Sequence, residues 1–244
     1  MNLPLRRRLA AEAVGTALLV AVVAGSGIQA ERLSRDAGVA LLANSLATVL
    51  GLGVLIALLA PVSGAHFNPV VSLAAWWQGR REPAGLALPE AAAYAGAQIA
   101  GAVAGAALAN AMFDLPVVEW SAHARFAGHL WLAEAVATAG LVLLVFGLAR
   151  AGRSHLSAPA VAAYIGAAYW FTSSTSFANP AVTIGRAFTD TYAGIAPASV
   201  GPFVAAQLLG GLVGAGLVAI LFPALAAPAP TRRPAAAEPE SAHP

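Results

Sequence analysis

Ser63-Gly64-Ala65-His66-Phe67-Asn68-Pro69-Val70-Val71 and Ser176-Phe177-Ala178-Asn179-Pro180-Ala181-Val182 are two versions of one phrase. In each, small residues lead into Asn-Pro and a short apolar run follows. Asn is a strong helix N-cap, and Pro is favoured at the first helical position, where its missing N–H leaves nothing unpaired. Both phrases therefore predict helix starts. Each predicted helix is about ten residues, or about 15 Å, roughly half of a 30 Å hydrocarbon core. Two of them end to end would cross it.

The composition around them demands a bilayer. Of 244 residues, 59% are hydrophobic and 10% are charged, and mean hydropathy is +0.75; soluble domains carry about a quarter charged residues. A very apolar soluble helical domain is excluded because several runs approach the roughly 20 residues that span a membrane. All 13 basic residues are arginine, which with the abundant alanine reads as genome composition. The absence of cysteine excludes disulfides, a thiolate nucleophile and thiolate metal sites. No cofactor or metal is expected. The net charge of +2 lies in loops and tails, so nothing points to nucleic acid.

Taken in order, a basic leader at 1–8 precedes spans at about 9–28, 39–60, 90–112, 129–148, 157–171 and 199–225. The Asn-Pro helices follow the second and fifth spans, at about 69–78 and 180–192. Residues 226–244 are Pro- and Ala-rich and predict a disordered cytoplasmic tail. The first span has the basic start and apolar core of a signal peptide, but a later copy of it excludes that reading. Glu12-Ala13-Val14-Gly15-Thr16 recurs as Glu134-Ala135-Val136-Ala137-Thr138. Ala97-Gln98-x-x-Gly101-x-x-x-Gly105 recurs as Ala206-Gln207-x-x-Gly210-x-x-x-Gly214, glycine spacings that suit close helix packing. The halves, about 9–112 and 129–225, are thus duplicates of three spans and one half-helix. An odd number of crossings per copy inverts one against the other. The expected fold is an all-α membrane protein: six transmembrane helices and two re-entrant half-helices in an inverted repeat. Arg6, Arg7, Arg8, Arg80, Arg81, Arg150, Arg153, Arg232 and Arg233 fall on one side, and Arg32, Arg35, Arg125 and Arg186 on the other. That excess predicts both termini in the cytoplasm.

Inversion brings both half-helix N-termini to the membrane midplane, where each macrodipole presents about half a positive charge. Cations and protons are repelled there, while oxygen lone pairs meet the amides of Asn68 and Asn179. The non-helical approaches, Gly64, Ala65, His66 and Thr175, Ser176, Phe177, are tolerable only where their carbonyls line water or pack in protein. The parts describe a water-filled path for uncharged solutes.

On these phrases, the paired glutamates and the duplicated spans, the chain from about Leu9 to Leu225 resembles the aquaporin (major intrinsic protein) family. The resemblance implies a homotetramer in the plasma membrane, the bacterial inner membrane, with one pore per subunit. It implies a pore centre of Asn68, Pro69, Val70, Asn179, Pro180 and Ala181, with Val70 in place of the usual alanine. It also implies a second constriction nearer the outer mouth, which distance from the Asn-Pro boxes puts at Thr48, Ala167, Ser176 and Val182. Water-selective members usually carry an aromatic, a His, a small residue and an Arg there. Here Val182 stands for the arginine, and the aromatic and His are absent as well. The mouth is expected to be wide and to admit glycerol, urea or neutral metalloid hydroxides such as arsenous acid besides water. Bacterial aquaglyceroporins linked to arsenic resistance share the missing arginine.

Glu12 and Glu134 are costly inside a span; the expected role is to accept hydrogen bonds from approach-segment amides, ahead of a proton relay. His66 reads either as a vestibule group or as a loop residue whose carbonyl matters. Arg186 lies one turn beyond Val182 and reads either as reaching the outer vestibule, where it would partly replace the missing charge, or as pairing with Asp190 or snorkelling to the interface. Tyr164, Tyr169, Trp76, Trp77 and Trp170 read as interfacial anchors. Three rival functions stand beside the channel: a secondary transporter, a non-conducting scaffold, and an enzyme built on Ser63 and His66. The last lacks a third group or an oxyanion hole.

Overall fold

The computed structural model describes residues 3–80 and 85–222. Among them are helices α1 (Leu5–Leu33), α2 (Ala37–Ser63), α3 (Pro69–Gly79), α4 (Leu88–Met112), α5 (Gly128–Arg150), α6 (Ser157–Phe171), α7 (Pro180–Gly185) and α8 (Pro197–Leu221), with no strand. Single 3-10 turns, Ser154–Leu156 and Arg186–Phe188, precede α6 and follow α7. Five helices, α1, α2, α4, α5 and α8, are long and apolar enough to cross a membrane. The sixth, α6, has 15 residues and a length of about 22 Å. The tail predicted at 226–244 lies outside the described residues, as does Arg81.

Several boundaries differ from the sequence reading. The basic leader is not separate: α1 begins at Leu5 and carries Arg6, Arg7 and Arg8 into the helix, where Arg8 pairs with Glu90 of α4. At its other end α1 continues to Leu33, and Asp36 caps α2 by accepting from Val39 N at 2.9 Å. The largest correction concerns the second half-helix, expected to reach Tyr192. It is six residues of α-helix and one 3-10 turn. Tertiary donors compete for its final carbonyls: Ser121 N takes Ala187 O at 3.0 Å, and Glu119 N takes Phe188 O at 3.3 Å. Thr189 then turns to extended backbone and donates to Asn110 Oδ1 at 2.7 Å.

Two helix pairs form the frame, α1 on α4 and α5 on α8. Their closeness comes from the glycines repeated in sequence. A Cβ on Gly101 would sit 2.2 Å from Ala13 O, and one on Gly105 2.1 Å from Ala17 O. Gly210 and Gly214 repeat the crossing against Ala135 O and Ala139 O, at 2.3 and 2.5 Å. Without a hydrophobic drive between helices in lipid, such contact is what holds them together. The outward faces remain apolar: Val39, Leu42, Leu46, Leu50, Val54 and Leu58 form an exposed stripe along α2. Water would not tolerate so long a bare patch; lipid does.

Candidate functional site

Each half-helix starts with a strained approach, and the two approaches match residue for residue. Gly64, Ala65 and Phe67 have φ of +91°, +50° and +49°; Thr175, Ser176 and Ala178 have +61°, +50° and +48°. Left-handed backbone costs an L-residue roughly 1–2 kcal/mol, so it persists only where surroundings over-determine it. Glu12 does so in the first half. It accepts from Ser63 Oγ (2.6 Å), His66 N (3.0 Å), Phe67 N (2.7 Å) and Gln98 Nε2 (2.7 Å). Glu134 repeats the pattern with Ser174 Oγ (2.6 Å), Phe177 N (2.9 Å), Ala178 N (2.8 Å) and Gln207 Nε2 (2.6 Å). Each carboxylate oxygen takes two donors. Both glutamates are fully buried, and charge-assisted bonds of this kind are the strong ones.

At the centre the asparagines cap and cross at once. Asn68 Oδ1 accepts from Val70 N at 2.9 Å, while Asn179 Oδ1 accepts from Ala181 N at 3.0 Å and Val182 N at 3.3 Å. Their amide nitrogens reach across: Asn68 Nδ2 donates to Ala178 O and Asn179 Nδ2 to Phe67 O, both at 2.7 Å. Pro69 and Pro180 occupy the first helical position of α3 and α7, and Val70 and Ala181 follow, both buried. The two short helices therefore meet tip to tip, with both N-termini at one place.

Beside that meeting point runs a cavity of about 180 Å³. Its wall takes Leu19 and Val23 from α1, Thr48, Leu52 and Ile56 from α2, and Val161, Ile165 and Tyr169 from α6. Gly64 through Asn68 and Ser176 through Asn179 line it too, so both approach segments and both asparagines face one space. Thr175 is not in the wall. Apart from His66, the one ionisable basic side chain in the wall is Arg186. Apolar side chains of α1, α2 and α6 and residues of both approach segments make up most of the wall. Among the described residues its lining includes no carboxylate, so it offers a cation no opposite charge.

Known proteins share this fold. A family profile described as Major intrinsic protein matches residues 2–174. The chain belongs to the major intrinsic protein family. Among its relatives is an aquaglyceroporin, AqpS, of Rhizobium meliloti (strain 1021), 50% identical over 214 residues that cover 88% of this chain and 89% of that one. The glycerol uptake facilitator protein of Pseudomonas aeruginosa is 31% identical, covering 90% of this chain and 91% of its own. The aquaglyceroporin structure from Plasmodium falciparum has the same fold, with TM-score 0.66, 20% identity and coverage of 88% and 96%. As a major intrinsic protein the chain is a membrane channel, not an enzyme.

Three of the four residues expected at the second constriction of this major intrinsic protein, Thr48, Ser176 and Val182, border the cavity. The fourth does not. Ala167 is exposed on the outer face of α6, and α6 instead turns Ile165 and Tyr169 inward. Counting from the Asn-Pro box misplaced it because α6 ends at Phe171 and Thr172–Ser174 intervene before the approach, whereas α2 runs directly into Gly64. Tyr169, read as an interfacial anchor, is 4% exposed, and its hydroxyl lies 3.2 Å from Thr48 Oγ1. An aromatic thus borders the cavity beside Thr48. Trp77 and Trp170 do remain half exposed.

Arg186 does not pair with Asp190. The aspartate accepts from Ala122 N at 2.8 Å and lies 4.0 Å from His123 Nε2. Sequence reasoning had also used Gln98 and Gln207 only as repeat markers. Both bind a clamp glutamate and also donate to a hydroxyl of the adjoining half-helix, Ser72 Oγ at 3.0 Å and Thr183 Oγ1 at 2.8 Å. Their recurrence at one place in each half was the available sign.

Proposed function

We propose that the chain is a passive pore for water and small uncharged solutes of the glycerol class, extending to urea and neutral metalloid hydroxides such as arsenous acid. The observation that carries this reading is the shared cavity. Both asparagines and residues of both approach segments border one cavity whose wall is otherwise mostly apolar. In this reading Asn68 and Asn179, with Pro69, Val70, Pro180 and Ala181 behind them, form the central point where dipoles repel cations. The carbonyls of Gly64, Ala65, His66, Ser176 and Phe177 accept from the solute on either side. Thr48, Tyr169, Ser176 and Val182 form the outer constriction. The glycerol-class assignment is supported by the named aquaglyceroporin and glycerol facilitator relatives. Assembly as a homotetramer in the bacterial inner membrane, with both termini cytoplasmic, completes the proposal; the exposed apolar faces of α2 and α8 are consistent with lipid or subunit contact.

A coupled transporter needs a coupling-ion or substrate site, for which a free intramembrane acid is a common device. Glu12 and Glu134 are both fully engaged as amide acceptors, which favours the passive reading. Stopped-flow light scattering on proteoliposomes tests it with water, glycerol, urea and arsenous acid gradients. Expected are non-saturating fluxes of water and glycerol, well above protein-free vesicles and independent of any ion gradient. Saturating flux that follows a proton or sodium gradient, or no flux at all, would overturn it.

A further inference from the structure

We propose that Arg186 is a second cation barrier of the pathway, besides the paired half-helix N-termini, and the hydrogen-bond donor that orients a solute's oxygens beside Tyr169 and Ser176. This rests on the channel reading and deepens it. Arg186 is 4% exposed, yet it borders the cavity. A buried guanidinium ordinarily has a carboxylate partner. Among the described residues two ion pairs occur, Arg8 with Glu90 and His123 with Asp190, and neither involves Arg186. What holds it is one donated bond from Nε to Ala193 O and the face of Phe177, whose ring centroid lies 3.4 Å from Cζ. A second guanidinium, Arg125, sits 5.1 Å from the same ring and is tied by Nε to Gly194 O at 3.0 Å. Two cations thus flank one aromatic residue of the approach segment without an acid paired to either.

The placement has a chemical consequence. The terminal nitrogens of Arg186 make no hydrogen bond among the described residues, and neither does the buried Ser176 Oγ. A buried hydroxyl without a partner, as at Ser176 Oγ, is costly unless something transient satisfies it. Here the cavity supplies it: Arg186 gives N–H groups, while Ser176 Oγ and the Thr48–Tyr169 hydroxyl pair both give and accept. A neutral solute carrying hydroxyl groups meets all of these. A cation meets an unneutralised positive charge in a low-dielectric passage, where screening by water is weakest. Val182, one turn earlier in the chain, supplies no such charge.

Proteoliposomes carrying wild type, Arg186→Leu, Arg186→Lys, Arg186→Gln and the double variant Val182→Arg/Arg186→Leu decide this, with sodium and proton leak read against water and glycerol flux. Removing the charge should raise the ratio of cation leak to water flux tenfold or more in the Leu and Gln variants. Lys should keep the barrier but lower the glycerol-to-water ratio, because the planar fork is lost. Returning a charge at position 182 in the double variant should restore cation exclusion. Leu and Gln variants that still pass glycerol and leak no more cation than wild type would overturn the inference while leaving the channel reading intact. If the Leu variant fails to fold, equal leak in the Lys and Gln variants does the same. A wild type passing neither water nor glycerol overturns the channel reading and this inference with it.

Discussion

Asn68 and Asn179 hold opposite halves of the molecule together: each side-chain amide donates, at 2.7 Å, to the carbonyl immediately preceding the other asparagine. Each also caps its own half-helix through Oδ1. One side chain therefore performs two separable tasks, and substitution can separate them.

Asn68→Asp keeps an oxygen for the cap but turns an oxygen toward Ala178 O, where the amide had donated. Losing a buried bond and leaving its partner unsatisfied costs about 1–3 kcal/mol. The melting temperature in detergent should fall by several degrees, and the same holds for Asn179→Asp against Phe67 O. Asp variants as stable as wild type would show that the crossing bonds contribute nothing.

Glu12→Gln replaces an acceptor of four donors with a group that itself donates. One of its two oxygens becomes an NH2, so either His66 N or Phe67 N, which bind different oxygens, loses its acceptor, at about 1–3 kcal/mol for each bond reversed. Hydrogen exchange at the orphaned amide should accelerate about tenfold or more, while Phe177 and Ala178, held by Glu134, change less. Glu134→Gln should give the mirror result. Uniform acceleration along the chain would mean that the clamp is not local.

Gly105→Ala forces a Cβ to within 2.1 Å of Ala17 O, so α1 and α4 must separate. Overpacking of this kind costs about 1–3 kcal/mol. Gly96→Ala on the same helix meets nothing within 4 Å and should be neutral or stabilising by up to about 1 kcal/mol, since alanine is the better helix former. Paired thermal melts check the contrast; equal shifts would refute the close-crossing account.

Ile165→Trp points a bulky ring into the cavity, whereas Ala167→Trp adds one to the exposed face of α6. Stopped-flow assays should find water and glycerol flux cut at least tenfold in the first and within about twofold of wild type in the second. The reverse pattern would restore Ala167 to the constriction.

Val182→Arg adds a second guanidinium one turn from Arg186, in a wall where Val182 is now 5% exposed. Glycerol and arsenous acid flux should fall far more than water flux, tenfold against twofold. Equal losses would argue against a wide mouth at this residue.

Much of this was legible in the chain. The doubled Asn-Pro phrase announces its own caps, because an N-cap and a proline at the first helical position act within a few residues. The recurrence of Glu12 as Glu134 and of Gly101 as Gly210 exposed the duplication, and duplication with an odd number of crossings fixes the inversion. Hydropathy alone placed the spans, since a bilayer admits few solutions for the backbone.

Tertiary contacts decided the rest. Where α7 stops depends on Ser121 and Glu119 competing for Ala187 and Phe188 carbonyls, and no local pattern encodes donors 66 and 69 residues away. Which residue of α6 faces the cavity depends on where that helix ends and how it rotates, so Tyr169 enters and Ala167 does not. Arg186 could be read from sequence either as a surface ion pair or as a wall residue; burial against Phe177 and the engagement of Asp190 elsewhere chose between them. Short-range geometry and hydrophobicity are properties of the chain itself, while helix rotation and the partners of a buried charge exist only once distant segments have packed.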